Sequence, residues 1–339
     1  MAEAHAARPR HSLAVPAVTA AEPVGVSIVI PTLDGRELLH HALRAVATQR
    51  HRDFEVIVVD NGSADGTREM LAAEWPEVRV VALGCNVGFA AAVNHGIRAA
   101  RGAVVVLLNN DTEVDPDWLG HLVAPLRDDP TIASCASRVL DFEARDRIDS
   151  AGDQLGFVAS QIGHGALDGP RYRVPRDVLS ACAAAAAYRR DALEQIGGFD
   201  EWYVSYLEDV DVGVRLCLAG FRCRYVPEAV VYHRGSQTAR RRPVERFHLI
   251  VRNTLVLFLR YMPPARLLCG APVMLAMPFV AATRDGHSAR VAWRALVEAL
   301  QEGPAIVRHR ARRRVPRDAQ ATFVGFLASP WTWQRRRRR

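Results

Sequence analysis

The sequence predicts an α/β fold: an open, mostly parallel sheet flanked by helices, followed by a helical C-terminal appendage. Three observations point there. Short runs almost continuous in apolar residues alternate with segments of helical periodicity through the first third of the chain, as parallel strands covered on both faces require. The alternation implies right-handed βαβ units. Several runs end in acid, amide or imidazole groups, at Asp60, at Asn109-Asn110-Asp111 and at His233. Ligands of open α/β sheets bind beyond the carboxyl ends of the strands, where these groups lie.

In order, Val26 to Ile30 is the first strand, and Glu37 to Thr48 is a helix with Leu39, Leu43 and Val46 on one face. Phe54 to Val59 is a strand closed by the turn sequence Asp60-Asn61-Gly62-Ser63. A helix near Asp65 to Glu74, a strand over Val78 to Leu83, an Ala-rich helix over Gly88 to Ala100 and a strand over Ala103 to Leu108 follow. Asp115 as N-cap with Pro116 at the first helical position starts the next helix. Residues 128 to 180 are irregular, rich in Gly and Asp, and read as strands and loops shaping a second ligand site. Asp191 to Ile196 and Glu208 to Ala219 read as helices stopped by glycines, and Arg222 to Tyr232 as a strand closed by His233.

Beyond about residue 245 the character changes. Phe247 to Tyr261 is strongly apolar. Leu267 to Ala282 is apolar over 16 residues but contains Pro272 and Pro278. A bilayer span needs roughly 20 residues, so this segment reads as buried or interfacial. Trp293, Leu296, Val297 and Leu300 form an amphipathic stripe, and Phe323 to Trp333 runs into five arginines. Aromatic and apolar faces beside arginine suit a lipid headgroup layer.

The 339 residues are 49% hydrophobic and 24% charged, ordinary values for a globular protein with a large core. Of the 81 charged residues, 44 are basic and 37 acidic, a net charge of +7, and every basic one is arginine. The surplus sits near the end, which points to an anionic surface partner rather than a basic active site. The six cysteines show no zinc-ligand spacing and read as reduced thiols. The first turn, Pro31-Thr32-Leu33-Asp34-Gly35, is no dinucleotide fingerprint, and without lysine a Walker loop is impossible. Acidic groups gathered at one sheet edge suit a diphosphate, a divalent cation and a general base, hence an enzyme acting on an activated, phosphate-bearing donor.

The ordered segments Val26-Ser-Ile-Val-Ile-Pro-Thr32, Val58-Val-Asp-Asn-Gly-Ser63, Asn86 to Asn94, Leu107-Leu-Asn-Asn-Asp-Thr112, Gly197-Gly-Phe-Asp-Glu201, Glu208-Asp-Val-Asp211 and His233-Arg-Gly-Ser236 resemble the family 2 glycosyltransferases of GT-A fold, particularly rhamnosyltransferase-like bacterial members. The resemblance covers roughly residues 25–240. It implies a transferase domain over 25–240 with a nucleotide-sugar half (25–125) and an acceptor half (126–240); composition adds a disordered leader over 1–24, a helical region over 241–334 and a polybasic tail over 335–339.

On this resemblance Thr32, Asp34 and Asp60 hold the base and ribose, Asn86 and Gly88 line the nucleotide pocket, and Asn110 and Asp111 meet the sugar diphosphate. Asn109-Asn110-Asp111 stands where the family has Asp-x-Asp, so Asp111 is its one charged ligand. His233 is the implied second ligand of Mg²⁺ or Mn²⁺. Asp209 is the implied catalytic base, with Glu208, Asp211 and Ser236 supporting and Trp202 as an acceptor platform. Structural alternatives stand beside these roles: Asp60 as a helix cap, Asn86 and Gly88 as turn residues, Trp202 as core. The implied reaction is inverting sugar transfer from a nucleotide diphosphate, dTDP-rhamnose first, to a hydroxyl of a glycan or lipid-linked acceptor, on the inner face of the cell membrane. A polyprenyl-phosphate sugar transferase, a UDP-galactofuranose or other hexose transferase, and a nucleic-acid-binding protein using the arginine tail are the alternatives. No nucleic-acid partner is expected on the preferred reading.

Overall fold

The computed structural model describes residues 25–235, 242–312 and 315–327. The expectations for the leader, for Ser236 and for the polybasic tail lie outside these residues.

Strands β1 (Val26–Thr32), β2 (Phe54–Asp60), β3 (Arg79–Ala82) and β4 (Val104–Leu108) form a parallel unit in the spatial order β4-β1-β2-β3. The register pairs Thr32 with Asp60, which brings two of the implied nucleotide residues to one level. Helices α1 (Arg36–Ala47) and α2 (Thr67–Glu74) cover one face of this unit, and α3 (Phe89–Ala99) covers the other. Alternate residues of β1 divide accordingly: Ile28 and Ile30 pack with Leu39, Leu43 and Met70, whereas Val29 packs with Ala92 and Val93. A sheet buried on both sides needs the continuous apolar runs found in the sequence.

The chain continues through β5 (Thr112–Val114), α4 (Trp118–Asp128), β6 (Ile132–Asp141), β7 (Ile148–Ser150), β8 (Asp153–Leu155), β9 (Ala159–Gln161), β10 (Arg176–Val178), β11 (Ala185–Arg189), α5 (Arg190–Ile196), α6 (Glu208–Leu218) and β12 (Arg222–His233). The main sheet runs β10-β12-β6-β11-β4-β1-β2-β3, with β5 on β12 and β7 on β6. β8 and β9 pair separately as a hairpin.

The stretch read as strands and loops contains β6, a ten-residue strand paired with both β11 and β12. One expectation needs correction here. The helix expected at Asp115-Pro116 starts instead at Trp118 with Asp117 as N-cap. Asp115 spends its carboxylate on the Asp117 N–H, and its carbonyl on the Trp118 N–H, closing a turn before the helix.

Five helices complete the described chain: α7 (Pro243–Tyr261), α8 (Pro264–Arg284), α9 (Ala289–Gln301), α10 (Gly303–Arg312) and α11 (Arg317–Phe326). They share a third core with α6, in which Val210, Val214, Leu255, Phe258, Leu296 and Phe323 are buried together. The apolar segment beyond Pro263 is longer than its sequence suggested. It forms one 21-residue helix that runs through both Pro272 and Pro278.

Close packing leaves little room between α3 and the sheet. A Cβ at Gly96 would lie 2.2 Å from Val29 Cγ1 and 3.1 Å from Val59 Cγ2. Gly96→Ala should therefore destabilise the protein by about 1–3 kcal/mol through overpacking, read as a lower midpoint in chemical denaturation.

Candidate active site

The rim of the nucleotide half is a continuous hydrogen-bonded network. Thr32 Oγ1 accepts from Asn110 Nδ2 at 2.8 Å, joining the ends of β1 and β4. Asp34 sits at φ 47°, and its Oδ1 accepts the Ala64 N–H at 2.8 Å while its own N–H donates to Ser63 Oγ. Buried Asp60 accepts the Ser63 N–H at 3.0 Å and lies 3.4 Å from Arg68 Nε. Asn86 Oδ1 accepts from Asn61 Nδ2 at 3.1 Å and from the Gly88 N–H at 3.0 Å. A carboxylate has lone pairs beyond those used here, so Asp60 retains acceptor capacity. Gly88 has φ 89°, and a Cβ there would strike Val204, so its glycine is required by a protein loop.

Pairing of β12 with β5 sets His233 opposite Thr112, which brings the imidazole to Asp111. His233 Nε2 lies 3.2 Å from Asp111 Oδ1, yet it is a buried atom without an aligned hydrogen bond. On the other side of the ring, Nδ1 lies 2.7 Å from Asp149 Oδ2. Asp149 also meets His164 Nδ1, 3.1 Å from its Oδ1. Burial disfavours the imidazolium of His233, but Asp111 and Asp149 outweigh it and push the pKa up to about 10. Burial likewise opposes ionisation of Asp149, and its two histidines reverse this, holding it below the usual carboxylate range. A carboxylate that orients a histidine whose other nitrogen faces an oxygen donor is a recurrent metal-site arrangement. Asp111 and His233 could hold a divalent cation through one oxygen and one nitrogen. Among the described residues no group of three or more such ligands gathers, which leaves other coordination positions to water and substrate oxygens. Sequence reading missed Asp149; its place on β7, hydrogen-bonded to β6, is a tertiary fact.

Asp209 opens α6. Its Oδ2 accepts the Ala183 N–H at 3.0 Å, and its Oδ1 accepts the N–H of Val210 at 2.8 Å. The next residue along, Ala184, accepts the Asn109 N–H at 2.9 Å. Two backbone hydrogen bonds therefore connect the strand end that carries Asp111 to the carboxylate of Asp209. Burial raises the Asp209 pKa against the pull of these N–H donors. Neighbouring Glu208 and Asp153 are raised well above normal, first by burial and then by the charge of Asp209. Glu208 Oε2 is buried without a hydrogen bond, as a protonated or cation-seeking carboxyl would be.

Asp211 has a different task. It is fully buried and accepts from Tyr203 Oη (3.1 Å), Tyr261 Oη (2.6 Å) and Arg215 Nε (2.6 Å). These bonds tie α6 to α7 and consume the carboxylate. The ring of half-buried Trp202 has the Arg252 guanidinium 4.2 Å from its centroid, so one face is taken.

Comparisons with known proteins agree on one family. A model described as Glycosyl transferase family 2 matches residues 27–197. The chain is 30% identical over 233 residues to the O-antigen biosynthesis protein RfbC of Myxococcus xanthus, a match that covers 63% of the chain but 18% of that protein. It is 29% identical over 232 residues to the N-acetylglucosaminyl-diphospho-decaprenol L-rhamnosyltransferase of Mycobacterium tuberculosis, covering 60% of the chain and 74% of that protein. Among solved structures, the mannosyltransferase PcManGT of Pyrobaculum calidifontis, in complex with GDP-Man and Mn²⁺, superposes with a TM-score of 0.53 at 21% identity, over 88% of this chain and 84% of that one. With the mixed sheet, its flanking helices and the family segments all in place, the chain belongs to glycosyl transferase family 2 and has the GT-A fold.

Proposed function

We propose that the protein is an inverting, cation-dependent glycosyltransferase that moves a sugar from a nucleotide diphosphate to an acceptor hydroxyl. One observation supports this most. Asp111, paired with His233, and the Asp209 carboxylate, about a hundred residues from Asp111 in sequence, lie on segments joined by the Asn109–Ala184 and Ala183–Asp209 hydrogen bonds.

In this reading Thr32, Asp34, Asp60, Asn86 and Asn110 orient the nucleoside and sugar. Asp111 and His233 hold the cation, with Asp149 fixing the ring of His233. A divalent cation, when bound, neutralises charge on the departing diphosphate. Asp209 takes the proton of the acceptor hydroxyl as its oxygen bonds to the anomeric carbon, while the bond from that carbon to the diphosphate oxygen breaks on the opposite side. Its pKa, raised by burial, makes it a stronger base than an exposed aspartate. The named activity of the mycobacterial relative favours rhamnose as the sugar, and the sequence resemblance suggests dTDP-rhamnose as its donor; UDP-galactofuranose, other UDP-hexoses and GDP-mannose are the competing donors.

The acceptor is placed on the cytoplasmic face of a membrane, as a glycan or lipid-linked sugar. α8 supports this. Its 21-residue length and an 18-residue window of mean hydropathy 1.7 make it the one helix, among the described residues, long and apolar enough to cross a bilayer. One stripe, Gly270, Met274, Pro278 and Ala282, packs inward, while Leu268, Val273, Leu275 and Val280 are exposed. A helix seated on the protein along one stripe suits lying in the interface better than spanning it. Exposed Trp293 and the arginines at 284, 290 and 294 extend that surface with aromatic and basic groups.

Asp209→Asn should lower kcat by roughly 100- to 10,000-fold, with nucleotide-diphosphate binding retained in calorimetry. Wild-type activity should fall as pH drops through a value above the usual carboxylate range, because Asp209 acts ionised. A fully active Asn variant would instead indicate an acceptor already ionised, such as a lipid phosphate.

Asp149→Asn should weaken Mn²⁺ binding roughly 10- to 100-fold, measured by titrating the metal alone as well as with dTDP. Unchanged metal affinity would remove the orienting role assigned to Asp149.

Wild-type protein should co-sediment with vesicles containing anionic lipid, and the double variant Leu268→Glu, Leu275→Glu should remain in the supernatant with its thermal midpoint unchanged. Equal partitioning of the two proteins would refute α8 as the lipid-facing element.

A further inference from the structure

The segment between Tyr203 and the acidic helix is strained in an unusual way. Val204, Tyr206 and Leu207 all have positive φ, at 64°, 71° and 67°. Such angles are uncommon for any residue with a side chain and rarer still for a β-branched one. Val204 combines its φ with ψ −64°. Conformations of this kind persist only where surrounding groups over-determine them. Leu207 is the last residue before α6, so the loop fixes where Glu208 and Asp209 begin.

The over-determining groups come from α7. Asn253 is fully buried, and its Nδ2 donates to the carbonyls of Tyr203 (3.0 Å), Ser205 (2.9 Å) and Tyr206 (2.7 Å). Two N–H protons thus serve three acceptors. Arg252 adds bonds to the carbonyls of Trp202 (3.0 Å) and Tyr203 (3.1 Å), and its Nε donates to Asn253 Oδ1 at 3.0 Å. On the opposite side, the Val204 carbonyl accepts the Ala90 N–H of α3, beside the glycine that makes room for Val204. The loop is therefore held between the nucleotide half and the C-terminal helices.

We propose that Asn253, aided by Arg252, is a positioning residue for sugar transfer: it holds the Val204–Leu207 loop in its left-handed conformation and thereby sets the reach of the base Asp209. The proposal rests on the reading of Asp209 as the base. It gives the C-terminal helices a part in the chemistry beyond packing, because removing the clamp releases the start of α6 while the Thr32–Asp60–Asn110 rim stays intact.

The test uses the full-length protein and Asn253→Ser. Binding of dTDP with Mn²⁺ should stay within about threefold of wild type while kcat falls about 100-fold, the split expected when alignment and not binding is lost. Amide hydrogen exchange should accelerate at residues 204–209 and not in β1 or β4. Adding Val204→Gly to Asn253→Ser should recover part of the lost kcat, since glycine adopts positive φ without the clamp. A kcat within threefold of wild type, or parallel loss of kcat, binding and thermal midpoint with no recovery by Val204→Gly, overturns the proposal. Should Asn253→Ser fail to fold, Arg252→Leu removes the outer two bonds and is held to the same split. If the wild-type protein turns over no nucleotide sugar, the transfer reading fails separately, and the exchange data still decide whether Asn253 holds the loop.

Discussion

Everything at the site depends on a single backbone junction, where the residues just before β11 lie between the end of β4 and the start of α6. Ala184 takes the Asn109 N–H, and Ala183 gives its N–H to Asp209. β11 runs antiparallel to both β4 and β6, wedged into the centre of the sheet. Its residues Ala185, Ala186 and Ala187 are buried, and small side chains allow helices to pack close on both faces. Adjacent strands lie about 4.8 Å apart, so this insertion fixes the separation between the Asp111–His233 edge and the acidic helix.

Around that junction the protein buries more carboxylates than it neutralises. Isolated buried charges are costly, and the structure meets the cost in three different ways. Asp211 is compensated by Arg215 and two tyrosine hydroxyls. Asp149 is compensated by His164 and His233. Glu208 and Asp153 have no basic partner of this kind, and burial together with the charge of Asp209 shifts them toward the protonated form. The first two are finished structural arrangements. The last leaves a cluster that gains from any positive charge or proton donor brought to it.

The C-terminal helices join this economy directly. Arg260 and Tyr261 reach Asp200 and Asp211, and Arg252 with Asn253 grips the carbonyls of the preceding loop. α8 extends from the same helical layer and carries the exposed apolar face. One layer thus contacts the acidic helix α6 and carries the exposed apolar face of α8.

The sequence by itself determined the parallel unit, since Val26–Thr32, Phe54–Asp60 and Val104–Leu108 are mostly apolar and end at or just before polar groups. Local pattern suffices when a strand is buried on both faces and its turn residues follow at once. It also determined the acidic segment at 208–211 and the histidine at 233, because both fall at element boundaries. Tertiary structure alone decided the rest. An alanine run such as residues 183–187 favours helix by local propensity, and only its place between β4 and β6 makes it a strand. Asp149 sits on a three-residue strand with no periodicity to betray it, and becomes an orienting group only when β7 pairs with β6 beside the end of β12. Positive φ at Val204, Tyr206 and Leu207 runs against the local preference of those residues, and the hydrogen bonds that hold the surrounding carbonyls come from Asn253, some fifty positions away.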